Sequence, residues 1–241
     1  MNRENVLFSI VGLLLGYVIA FHLVVYVNQG QTAATAAPAA ESAEGLPTDH
    51  PAVGDAADRQ RLLAEAEQAA GDARKQPDNF EAQLKAAEGY FQAGSYEDAI
   101  DFMTRANKLR PDDYETLVGL GRAYSSAERF TDAERWYSAA LVKRPDDCDV
   151  RSELALTFYM RQPRQLDKAV AELRRCLQTD SNHVMSLHNL ALLLIETKKY
   201  DEAEATLARL EQADPTYAKL PTLREELRKA RAGSRQKSPT D

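Results

Sequence analysis

The chain has 241 residues, of which 28% are charged and 44% apolar, and a formal net charge of −7. Eleven Gly and ten Pro are too few for a low-complexity chain. A net negative charge with a single Trp argues against a nucleic-acid platform, which needs clustered positive charge. Only residues 219–241 are basic, with seven Lys/Arg against three Asp/Glu.

Val6 to Val27 carry no Asp, Glu, Lys or Arg. As a helix the segment spans roughly 33 Å, enough for a hydrocarbon core of about 30 Å. The run is longer than a signal-peptide core, and its nearest A-x-A, Ala34–Ala36, lies well beyond it, which favours an uncleaved anchor over cleavage. Arg3 precedes the segment and no Lys or Arg follows until Arg59, so residues 1–5 are expected in the cytoplasm and the rest exported, to the periplasm in a bacterium. Gly12, Gly16 and Ala20 form a small-residue stripe on which two such helices can pair, a candidate homodimer face, although Gly is common in membrane helices anyway. Residues 28–54, with Pro38, Pro47 and Pro51 and few large apolar side chains, read as a flexible tether.

Residues 55–76 read as a capping helix with Leu62, Ala66, Ala69 and Ala73 along one stripe. Beyond it the chain repeats itself. KLRPDD and VKRPDD place Pro111 and Pro145 34 residues apart; Pro77 lies 34 earlier, and Ser181 and Pro215 continue the ladder after a slip of two. Between Pro111 and Pro145, Leu117, Leu120, Gly121 and Tyr124 fall on one face of a first helix, and Ala133, Tyr137 and Ala140 on one face of a second. Gly121 and Ala133 are expected where the two backbones come closest. The four units are 80–113, 114–147, 148–183 and 184–217, with the slip in MRQPRQLD. Pro221 opens a closing helix within 218–232 that turns Leu223, Leu227 and Ala230 inward, followed by a disordered tail, 233–241.

The pattern Leu120-Gly121-x-x-Tyr124, Ala133-x-x-x-Tyr137 and Pro145 on a 34-residue period resembles the tetratricopeptide repeat. Gln83 and Arg151 depart from it, standing where an apolar residue is expected. The resemblance covers residues 80–217 and implies an all-α, right-handed superhelix of helix pairs, here behind a single transmembrane helix. First helices line its concave side, and a step of about 100° from the intra-repeat face aims Leu84, Glu88 and Phe91, Val118, Arg122 and Ser125, Ser152, Leu156 and Tyr159, and His188, Leu192 and Ile195 toward that groove. Relatives that clamp chaperone carboxylates use several Lys and Asn; here Arg122 and Asn189 stand alone among acidic residues, so an apolar or basic segment, or an amphipathic helix, is the expected protein partner. In layout the chain is also similar to membrane-anchored repeat proteins that present apocytochromes for haem attachment. A scaffold subunit joined through its membrane helix and repeat surface is the alternative.

Nothing points to an enzyme, a cofactor, a metal or a nucleic-acid partner. His183 and His188 are five apart and form no ligand pair on a helix, and Gly119-Leu-Gly121 lacks the rest of a dinucleotide motif. The two cysteines, Cys148 and Cys176, lie seven residues before Ala155 and seven after Ala169, at the same level of an antiparallel pair. Export would let them form a disulfide; otherwise Cys176 simply takes the place of Ala106 and Ala140.

Overall fold

A computed structural model describes residues 56–236. The anchor segment Val6–Val27 with Gly12, Gly16 and Ala20, the tether 28–54 and the last five residues lie outside the described part. Within it, no helix is long and apolar enough to cross a membrane.

Ten helices succeed one another: α1 Ala56–Lys75, α2 Phe80–Gln92, α3 Tyr96–Leu109, α4 Tyr114–Ser126, α5 Phe130–Lys143, α6 Cys148–Met160, α7 Leu166–Thr179, α8 Val184–Glu196, α9 Tyr200–Ala213 and α10 Leu220–Gln236. Each packs on the next, and alternate helices also touch: α4 on α6, α6 on α8 and α8 on α10. The four first helices (α2, α4, α6, α8) begin on the caps Asn79, Asp113, Asp147 and His183, each accepting the backbone N–H three residues ahead. A side-chain acceptor there satisfies one of the free amides of a helix start.

The turn between paired helices closes on one hydrogen bond in every repeat. Ser95, Arg129, Gln165 and Lys199 donate their N–H groups to Tyr90, Tyr124, Phe158 and Leu194, at 2.8–2.9 Å. Three turns pass through a left-handed residue, Gly94, Glu128 or Lys198; the third repeat spends its two extra residues on a loop with a cis Gln162–Pro163 bond and still makes the closing bond.

Gly121 does stand at a close approach, but the space it leaves holds the Tyr137 ring rather than Ala133: a Cβ would sit 2.5 Å from two ring carbons of that fully buried side chain. Overpacking of this kind costs about 1–3 kcal/mol, against the roughly 0.8–1 kcal/mol that Ala gains over Gly in a helix. Gly121→Ala should therefore lower stability by up to about 2 kcal/mol in urea unfolding; a gain would show that the ring moves aside freely.

The polar departures have a shared use. Buried Gln83 donates through Nε2 to the carbonyls of Ala73 (2.9 Å) and Gln76 (3.2 Å) at the end of α1. Arg151, at the equivalent position, donates to the Pro145 carbonyl (2.8 Å) and pairs with Glu172 (2.6 Å). Both bind backbone carbonyls of the segment before their own helix and so tie that segment to the helix that follows.

The two terminal helices each differ from expectation in one respect. On α1 the buried stripe is Ala66, Ala70 and Ala73, with Ala69 only partly covered. Ala66 and Ala73 precede Ala99 and Ala106 by 33 residues, so α1 packs as the second helix of a repeat on an interval one residue short. At the other end α10 runs to Gln236, through the first residues expected to be disordered. Arg231 pairs with Asp201 and Glu204 of α9, and no proline interrupts the last turn.

Candidate peptide-binding face and the third-repeat cysteines

The residues expected in the groove divide by burial. Glu88 and Arg122 are exposed, and Leu84, Phe91, Tyr159, Leu192 and Ile195 are partly exposed. Val118, Leu156 and His188 are 6%, 3% and 2% exposed and belong to the core, as do Ser125 and Ser152. This corrects the groove assignment. α4, α6 and α8 each pack on the next helix but one as well as on their own partner, so a 100° step can turn a side chain toward that neighbour, as it does for Val118, Leu156 and His188. The partly exposed residues lie on α2, α6 and α8. Phe91 packs against Tyr96 with ring centres 5.5 Å apart, and Arg164 covers the Tyr159 ring at 4.6 Å.

At the middle of this face one small recess is lined by Arg122 of α4, by Asp149, Ser152, Glu153 and Leu156 of α6, and by Met185 and Asn189 of α8. Arg122 and Asn189, apart in sequence, thus meet, in the company of two carboxylates. Asn189 is 2% exposed, and its Oδ1 finds no partner in the protein.

Deeper, His188 is held by the loop before α10. The Tyr217 hydroxyl is hydrogen-bonded to His188 Nδ1 (3.0 Å), the rings meeting edge to face. Burial, with Lys219 nearby, lowers the His188 pKa from 6.5 to about 4. Burial and then Asp214 raise that of Tyr217, so the phenol keeps its proton.

Cys148 and Cys176 are joined in a disulfide with Cα atoms 4.9 Å apart. The bond takes over a position that side-chain stacking fills elsewhere. In the first two repeats Arg110 lies over Phe80 (3.9 Å) and Arg144 over Tyr114 (3.7 Å), each also paired with an acid, Glu81 or Glu115. In the third, Cys148 replaces the ring and Asp180 the arginine.

His183 belongs with this pair, a grouping not anticipated from the sequence. Its Nε2 meets Asp149 Oδ1 (3.0 Å), its Nδ1 lies 2.9 Å from Ser186 Oγ, and that hydroxyl reaches Cys176 Sγ (3.1 Å) and Ser152 Oγ (2.6 Å). The signal was present in the repeat arithmetic, which aligns His183 with the caps Asn79, Asp113 and Asp147. The Asp149–His183–Ser186 chain imitates a hydrolytic triad, but Ser186 is fully buried and its oxygen cannot meet a substrate.

A tetratricopeptide repeat model matches residues 52–114, which takes in α1, and a model described as the Cilia and flagella-associated protein 70 middle TPR-like domain matches residues 113–224. The described part of the chain is a tetratricopeptide repeat array. Among solved structures, this array is similar to MamA from Desulfovibrio magneticus RS-1 (17% identity, TM-score 0.57, 69% of this chain and 99% of that one). It is similar also to a tetratricopeptide repeat protein from Parabacteroides merdae (18%, 0.62, 73% and 69%). A third is YrrB, described as a TPR protein with an unusual peptide-binding site (18%, 0.55, 72% and 87%). At such identities the likeness is one of fold. No curated protein sequence matches the chain.

Proposed function

We propose that this chain is a membrane-tethered protein-interaction module. Its repeat array, on the exported side of a membrane, holds an apolar or basic segment, or an amphipathic helix, of a client protein along the first helices. The observation that carries the reading is the set Leu84, Phe91, Tyr159, Leu192 and Ile195, left partly exposed on three first helices, with Phe91, Tyr159 and Ile195 at equivalent repeat positions. Large apolar side chains that an array leaves open on one face serve as anchors for a partner. Glu88, Asp149 and Glu153 against Arg122 favour a client that is not acidic. YrrB's peptide-binding site supports the same use of the fold here. Binding rather than catalysis fits the burial of Ser186, and the tether and its direction rest on the uncharged run Val6–Val27 with Arg3 before it.

Two measurements test this. A reporter active only outside the cytoplasm, fused after Asp241, should work; activity of a cytoplasm-only reporter instead removes the exported placement. Leu192→Glu with Ile195→Glu should weaken binding of basic-apolar peptides at least about tenfold while circular dichroism stays unchanged, since truncating an anchor typically costs more than 1 kcal/mol. Unaltered binding would place the client elsewhere.

A further inference from the structure

Where α6 begins, α7 ends and α8 starts, three metal-ligating side chains converge: the ligand atoms of Cys148, Cys176 and His183 all lie within 4.8 Å of one another. We propose that, once the disulfide is reduced, these three bind one thiophilic divalent cation, with zinc the best match. Two thiolates and an imidazole are a borderline-soft donor set, and three protein ligands with water in fourth place is a regular zinc arrangement.

The surroundings are those a metal site needs. With Nε2–H donated to the Asp149 carboxylate, the lone pair of His183 sits on Nδ1, on the side facing Ser186 and the sulfurs. A carboxylate that fixes the outer nitrogen orients an imidazole for a metal. That lone pair now accepts from the Ser186 N–H (3.3 Å) as the α8 cap and lies 2.9 Å from Ser186 Oγ, and a cation on Nδ1 would take the place of these contacts. Ser186 Oγ donates to Cys176 Sγ, and Cys148 is the first residue of α6; a hydroxyl donor and a helix N-terminus both favour thiolates. The other first-helix caps are Asn or Asp, and the matching positions hold Phe80 and Tyr114 or Ala106 and Ala140. The donor set is therefore confined to the third repeat, which lacks the ring–arginine clamp.

The chemistry balances with a named reductant. A phosphine or dithiol delivers two electrons to the disulfide and is itself oxidised; the sulfurs take up two protons, and the cation displaces both to solvent as it binds. Disulfide and metal exclude each other at this place.

The test is cobalt(II) titration of the full chain after phosphine reduction. One equivalent should bring the visible bands of tetrahedral cobalt and an ultraviolet thiolate-to-cobalt band, and the oxidised chain should show neither. Cys148→Ser or Cys176→Ser should abolish both bands. His183→Asn, which keeps a cap of the kind Asn79 provides, should weaken binding at least about tenfold, and Asp149→Asn about tenfold. Zinc should raise the melting temperature of the reduced chain and leave the oxidised chain unmoved. No thiolate band in a reduced chain that is still helical overturns the proposal, as does a band of equal strength in His183→Asn. If reduction melts the third repeat, failure of zinc to restore its helicity overturns it equally.

Discussion

Breaking the Cys148–Cys176 bond should lower stability by about 2–4 kcal/mol in metal-free buffer, most of it through the unfolded chain. The cysteines are 28 residues apart, and a cross-link of that span removes many of the conformations open to the unfolded segment. Local packing adds to the expectation. The first two repeats clasp the start of one helix and the end of its partner through Arg110 on Phe80 and Arg144 on Tyr114, and in the third the bond stands where that stacking would be. Urea unfolding with and without a phosphine measures the loss. The Cys148→Ala, Cys176→Ala double variant should match the reduced chain and ignore the reductant. Coincident midpoints for oxidised and reduced protein would mean that the bond adds no stability.

Acid should weaken the array through His188. A histidine whose folded pKa is about 4 against an ordinary 6.5 stays neutral in the folded state while the unfolded chain takes up a proton. The unfolded state therefore binds more protons between these values, and stability falls as pH drops through that window. Above 6.5 the contribution is present in full; at about 4 most of it is gone. Two and a half units at 1.36 kcal/mol each set a scale of about 3 kcal/mol. His188→Gln, which keeps a polar partner for Tyr217, should flatten this part of the stability–pH curve. An unchanged slope in the variant would assign the acid sensitivity to other groups.

Much of the array was legible because the repeat writes its punctuation in chemically distinct residues. Caps at Asn79, Asp113 and Asp147 and prolines two residues before each fall on one interval, and small residues mark the helix crossings. What escaped was set by third parties. Val118, Leu156 and His188 carry no mark of burial on their own helix; they are covered by the next repeat or, for His188, by Tyr217 of a loop 29 residues away. Periodicity within one helix reports the face toward its partner and is blind to a second neighbour. An interval of 34 steps back from Ala99 and Ala106 to Glu65 and Asp72, one residue short of the alanines that pack, so the sequence shows α1 as a cap rather than as a repeat helix. The sequence sets His183 beside His188, whereas its neighbours Asp149 and the two cysteines come from other elements.

The substantial helix contacts reach no further than the second neighbour along the array. Folding information therefore travels step by step: α2 and α8 share no direct contact of that kind, and loosening at one end is not felt at the other except through every repeat between. A client laid across α2, α4, α6 and α8 would bridge what the backbone leaves separate. Occupancy would then act as a fifth wall of the structure, making distant repeats open and close together, so that the loaded array melts as one unit where the empty one frays from its ends.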